Sequence, residues 1–218
     1  GPVTLHTPAN RVRDPDATVD LLRGHGIGRL LVVSGNPGHG HGPRTIHELI
    51  PHFRSRGLHV SVGAYPEDYF TLTSARHRAH SADVLADKQA AGAQRIITQA
   101  CFKSDNAHEW LTMIRSRGIE LPVHVGVMAP IPRRTLASVL KSTRSEFLRH
   151  PRIEAFSRQN LDLLYRMVRS MIPHPQRFMR ELAGLGGLGP GDGFHLFAYG
   201  TDVHELIAVA RSASDFHE

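Results

Sequence analysis

The sequence predicts an α/β fold in which crossover helices wind a parallel sheet. Three observations carry this expectation. Six short runs rich in Val, Ile and Leu recur along the chain, as parallel strands buried on both faces do. Stretches with helical spacing separate the runs, and that alternation needs crossover connections. The helical stretches end in glycine at a regular beat, at Gly24, Gly57, Gly92 and Gly118.

The elements follow in order. The expected strands are Val3–Thr7, Arg29–Gly35, His59–Pro66, Arg95–Phe102, Val123–Ala129 and Phe194–Gly200. Asp16–Gly24 places Val19, Leu21 and Leu22 on an apolar side, and Gly24 is its stop. Thr45–Arg56 sets Ile46, Leu49, Ile50 and Phe53 at helical spacing before Gly57. Ala75–Ala91 and Ala107–Arg117 repeat the plan. Leu136–Leu140, Pro151–Ser170 and Pro175–Leu185 fill the long interval before the last strand, and Val203–Ser212 closes the chain. The run GLGGLGPGDG (184–193) reads as a flexible lead into that strand, not a domain boundary, so residues 1–218 form one domain.

Two architectures fit this rhythm, a doubly wound open sheet and a β/α barrel. The first strand-to-helix turn carries no GxGxxG, which weighs against a dinucleotide fold. Six strands are two fewer than a closed β/α barrel has, and 218 residues fall short of the usual length of about 250.

Composition narrows the function. No run of 18 apolar residues exists, and the opening GPVTLHTPANRVRD lacks the basic and apolar regions of a signal peptide. One cysteine, Cys101, precludes an intrachain disulfide and suits a reducing compartment, so a cytoplasmic location and no membrane partner are expected. The net charge is +6, which attracts anions. The basic residues are scattered and only 6% of residues are aromatic, so no stacking platform for nucleic acid is expected.

In a β/α barrel the chemistry sits at the C-terminal ends of strands. Those ends read His6-Thr7, Ser34-Gly35-Asn36-Pro37, Tyr65-Pro66-Glu67, Thr98-Gln99, Met128-Ala129-Pro130 and Tyr199-Gly200-Thr201. The set holds no carboxylate cluster for a divalent metal and no Ser or Cys nucleophile with an evident base. It suits a planar, hydrogen-bonding ligand. Gln99 offers donor and acceptor side by side, the pattern a pterin ring presents, though a strand-end glutamine also caps loops. Tyr65 is either an aromatic contact for a flat ligand or a lid on the core. Lys88 is able to reach a phosphate, but a lone helix lysine is commonly a solvated side chain. His39 and His41 in GNPGHGHGPR lack further ligands nearby, so no metal site is expected there and a loop over the ligand fits better. Cys101 reads as an inert core residue.

Several segments, in register, resemble the methylenetetrahydrofolate reductase family. AGAQRIITQACF (91–102) resembles its AGA–x–x–x–ITQ–x–x–F signature. SVGAYPE (61–67), VHVGVMAPI (123–131) and GDGFHLFAYG (191–200) resemble its YPE, PGIMPI and G–x–HFYTLN segments. RLLVVSGNP (29–37) sits where the family has LRGDPP, and VTLHT (3–7) where a strand ends in HLT. The resemblance implies a (β/α)8 TIM barrel whose first two strands, with the family's catalytic glutamate, are absent from this sequence. It implies hydride transfer from NADH or NADPH, usually through FAD, to 5,10-methylenetetrahydrofolate, giving 5-methyltetrahydrofolate for one-carbon and methionine metabolism. It places Gln99 and Asn36 on the folate, and His6, Ser34, Asn36, Tyr65 and Lys88 on the flavin, Lys88 toward its phosphates. Ser34 and Asn36 replace the family's arginine and aspartate, which removes a cation and an anion and weakens the case for FAD. The composition resembles that of flavin-independent actinobacterial members. A non-catalytic folate- or nucleotide-binding protein on the same scaffold is the competing expectation. A related folate enzyme of different direction or donor also stays open. Leu161–Met171 offers an apolar face for a homo-oligomer, and core packing explains the same pattern equally well.

Overall fold

The computed structural model describes residues 3–34, 45–66, 75–130, 132, 135, 174–198 and 202–214. The expected helices Leu136–Leu140 and Pro151–Ser170, the apolar face Leu161–Met171 and the loop with Asn36, His39 and His41 lie outside them, as do Glu67, Tyr199, Gly200 and Thr201.

Six strands form one sheet: β1 (Thr4–Pro8), β2 (Arg29–Val33), β3 (His59–Ala64), β4 (Arg95–Cys101), β5 (Val123–Met128) and β6 (Gly193–Phe197). Every neighbouring pair is parallel and the spatial order is β1-β2-β3-β4-β5-β6. This order decides between the two architectures. A doubly wound sheet reverses its strand order partway. A sheet that advances one strand at a time through right-handed crossovers keeps its helices on one face, as a β/α barrel does. The helices are α1 (Pro15–Gly24), α2 (Ile46–Ser55), α3 (Ala75–Ala90), α4 (Ser104–Ser116), α5 (Pro175–Gly184) and α6 (Val203–Ser214).

The core lies between sheet and helices. Leu30, Val32, Val60, Val62, Ile96, Val123, Val125 and Val127 alternate along β2 to β5 and meet Leu49, Ile50, Phe53, Leu111 and Ile114. Alternation puts Leu31, Ser61, Gly63, Ile97 and Gly126 on the opposite face, away from the helices.

Helix boundaries have local causes. Asp14 caps α1 by accepting from Ala17 N, so the helix begins at Pro15. α1 ends at Gly24 as expected, and the left-handed turn that follows it falls at Gly26, with φ 66°. Gly57, Gly92 and Gly118 do take left-handed φ where their helices end. Thr45 and Glu48 form a reciprocal capping box on α2. α4 starts three residues ahead of expectation, at Ser104, because Lys103 is the extended residue before it. β3 stops at Ala64, short of the expected Pro66, since the proline lacks an N–H for a ladder. β6 ends at Phe197, with 199–200 undescribed. A short 3-10 turn at Ala9–Arg11 follows β1.

The lead into β6 is pinned, contrary to the expectation of flexibility. Asp192 is buried and accepts both oxygens' worth of bonds from Arg115, at 2.8 and 2.9 Å. It also accepts from Val123 N at 2.6 Å and Gly189 N at 2.8 Å. Arg115 donates further to the carbonyls of Ile119 and Leu121. One ion pair thus ties the end of α4, the start of β5 and the turn before β6.

Candidate functional site

The C-terminal rim is set by where each strand ends. His6 lies on β1, exposed, and Ser34 is exposed immediately past β2. Tyr65, just past β3, is 64% exposed and therefore no lid on the core. These three positions line adjacent strands. Asn36 lies outside the described residues, so its place beside Ser34 rests on the sequence.

Gln99 occupies a distinct local geometry. β4 and β5 pair in register at Ile97↔His124 and again at Ala100↔Gly126, so Thr98 and Gln99 oppose Val125 alone. That is a β-bulge, a device that re-aims a side chain beside a functional site. It leaves Gln99 exposed between buried Thr98 and buried Ala100. A relay holds the bulge. Gly126 N donates to Thr98 Oγ1 at 2.8 Å, and that hydroxyl donates to the Gln99 carbonyl at 2.8 Å. Cys101, buried as expected, adds a longer Sγ contact of 3.5 Å to the same carbonyl. Among the described residues, the Gln99 side-chain oxygen has only a long 3.4 Å approach from Ala100 N. Its amide thus keeps its hydrogen-bonding capacity for a ligand.

Gly126 permits this arrangement. A Cβ there would lie 2.5 Å from the Gln99 carbonyl oxygen and 2.7 Å from Cε2 of Phe197. Bulge backbone, glycine and the Phe197 ring on β6 therefore pack in sequence across the open face. Phe197 meets His195 edge-on, with ring centroids 4.8 Å apart. Burial pushes the His195 imidazole below its usual pKa, and the charge of His6 pushes it the same way. His6 stands on β1 and His195 on β6, the two edge strands of the sheet. The sequence reading missed Thr98 as a positioning group, Gly126, His195 and Phe197. The signal was a glycine inside an apolar strand, VHVGVM, which marks close backbone approach.

Lys88 is not a solvated side chain. It is 9% exposed on the sheet-facing side of α3, in line with Ala82 and Leu85. Its ammonium donates to the Gly63 carbonyl on β3 at 2.9 Å, and burial pulls its pKa down. As placed, it holds a strand carbonyl. With Ser34 uncharged and Lys88 bonded to Gly63, neither of these two positions, which the resemblance places on the flavin, turns a cation toward one.

Among the described residues no group of three or more His, Cys, Asp or Glu is arranged to hold a metal ion, and no helix is long and apolar enough to cross a membrane.

Comparison with known proteins agrees with the residues. One solved structure, of an uncharacterized protein from Clostridium thermocellum that binds two copies of 5-methyl-5,6,7,8-tetrahydrofolic acid, aligns with a TM-score of 0.60 at 15% identity, covering 98% of this chain and 72% of that one. At that identity the likeness speaks for the fold. A 4-hydroxy-tetrahydrodipicolinate synthase from Methylacidiphilum fumariolicum SolV aligns at 10% identity with a TM-score of 0.38, over 98% of this chain and 95% of that one, too low to speak for a shared fold. The sequence model described as Methylenetetrahydrofolate reductase matches residues 10–145, which include the ITQ triplet and the Gln99 bulge. Spanning more than half of the sequence, that match shows that the chain belongs to the methylenetetrahydrofolate reductase family.

Proposed function

We propose that this chain binds reduced folate at the C-terminal rim of its sheet and reduces 5,10-methylenetetrahydrofolate to 5-methyltetrahydrofolate with NADH or NADPH. The observation that carries the reading is the exposed Gln99 amide, set by a bulge inside the family's ITQ segment. Its paired donor and acceptor match the edge of a pterin, and Phe197 offers an apolar wall beside it. Tyr65 and His6 supply further hydrogen-bonding groups along the same rim.

In this reading a hydride, with its electron pair, passes from the nicotinamide to the methylene carbon. The bond from that carbon to N10 breaks, N10 takes a proton from solvent, and the oxidised nicotinamide leaves. The contribution of the rim is orientation, holding carbon and hydride donor in line. We favour transfer without a flavin, because Ser34 carries no charge and Lys88 is turned to Gly63. A single assay tests this: nicotinamide oxidation by the purified chain, followed with and without methylenetetrahydrofolate while the visible spectrum is recorded. Folate-dependent oxidation by colourless protein supports direct transfer. A yellow protein bleached by NADH would return the flavin to the scheme.

A folate-binding protein without turnover is the second reading. It is favoured by the structural neighbour, which binds a methylated folate. Folate binding without any nicotinamide oxidation selects it.

A further inference from the structure

The opposite end of the sheet carries a cluster that folate binding does not use. Arg29, His59 and Arg95 are the first residues of β2, β3 and β4. Arg29 pairs directly with His59, and Arg95 pairs with Ser61, one same-face step beyond His59. By alternation all three lie on the face away from the helices, since Leu30, Val60 and Ile96 belong to the helix-side core. Each is partly buried. His59 Nδ1 and Arg95 Nε are buried without a hydrogen-bond partner among the described residues. No described ion pair involves any of the three, although five such pairs exist elsewhere.

Like charges so placed repel. Burial and then Arg29 push the Arg95 guanidinium below its usual pKa. Burial, then Arg95, Arg29 and Arg54, push His59 down, with only its own main chain opposing. Convergent, half-desolvated guanidinium groups with idle donors are the arrangement that recognises oxyanions, because each planar fork matches two oxygens. We propose that the N-terminal mouth of the sheet is an anion site, in which Arg29, His59 and Arg95 together bind a phosphate-type dianion from solution. This inference is independent of the folate reading, since the Gln99 rim lies at the other end of the strands.

The test is thermal melting of the whole chain against inorganic phosphate, with sodium chloride at matched ionic strength as control. Phosphate also stabilises proteins generally by exclusion from their surface, but that effect does not saturate and variants share it. The expected result is a saturable rise over chloride, roughly 3–6 °C at ten times the half-saturating concentration. Arg95→Gln should abolish the saturable part. Should Arg95→Gln fail to fold, Arg29→Gln, at the first strand position, serves in its place. Phosphorus-31 line broadening gives a second readout, present with the parent chain and absent with Arg29→Gln. No excess of phosphate over chloride, or an excess that both variants retain, overturns the proposal.

Discussion

Gln99 and Thr98 divide a task between neighbouring side chains. Gln99 is exposed at the rim, while Thr98 is buried and relays Gly126 N to the Gln99 carbonyl. Removing the amide in Gln99→Ala should weaken reduced-folate binding by about 1–3 kcal/mol, with folding stability nearly unchanged, because the side chain is exposed. Calorimetric titration alongside a thermal melt checks both halves, and wild-type affinity would remove Gln99 from the site. Thr98→Val keeps the volume but leaves the buried Gly126 N–H without its partner and the Gln99 carbonyl with the longer Cys101 Sγ contact in place of its 2.8 Å bond. It should lower stability by about 1–3 kcal/mol and also loosen folate binding. A variant that loses stability yet binds folate normally would show that the relay supports the sheet alone. The glutamine was legible in the sequence as a candidate, since its place near a strand's C-terminal end and its residue type both pointed to it. The threonine was not, because its hydroxyl partner is 28 residues away.

Elements are held together where the chain was expected to be loose. The Asp192 carboxylate sits fully inside, paired with Arg115 across 77 residues of sequence. A buried pair adds little net stability over apolar packing, but breaking one strands a charge, at a cost of about 3–5 kcal/mol. Asp192→Asn should therefore destabilise the fold by an amount of that order, measured by urea denaturation. A loss below about 1 kcal/mol would mean that water reaches the Arg115 guanidinium and replaces the carboxylate. The glycine-rich composition of 184–193 concealed this anchor, because composition reports what a backbone is able to do and not what a single carboxylate among the glycines fastens.

Across the whole molecule, stability should depend on pH through partly buried imidazoles. His59 and His195 both titrate below the ordinary value of 6.5, chiefly because burial disfavours the charged ring. The unfolded chain then binds protons more readily than the folded one. The stability contributed by keeping these rings neutral is fully present above pH 6.5 and is lost as pH falls through the folded values. Melting temperature should drop as pH falls below 6.5, and His195→Gln should flatten that slope. An unchanged slope would place the acid sensitivity elsewhere. Added phosphate should oppose the loss at His59 if the anion site forms, because a bound anion favours the protonated ring.

The sequence by itself determined the strands, most of the helices, the parallel winding and the location of Gln99 near the C-terminal end of a strand. Each of these follows from periodicity, capping residues and turn glycines, which act over a few residues. Tertiary structure alone decided the consecutive strand order, the bulge at Thr98–Gln99, the seating of Phe197 on Gly126, the Arg115–Asp192 pair and the gathering of Arg29, His59 and Arg95. All of these depend on register between strands far apart in the chain. A one-residue slip in register would turn each side chain to the other face, so no local pattern specifies them.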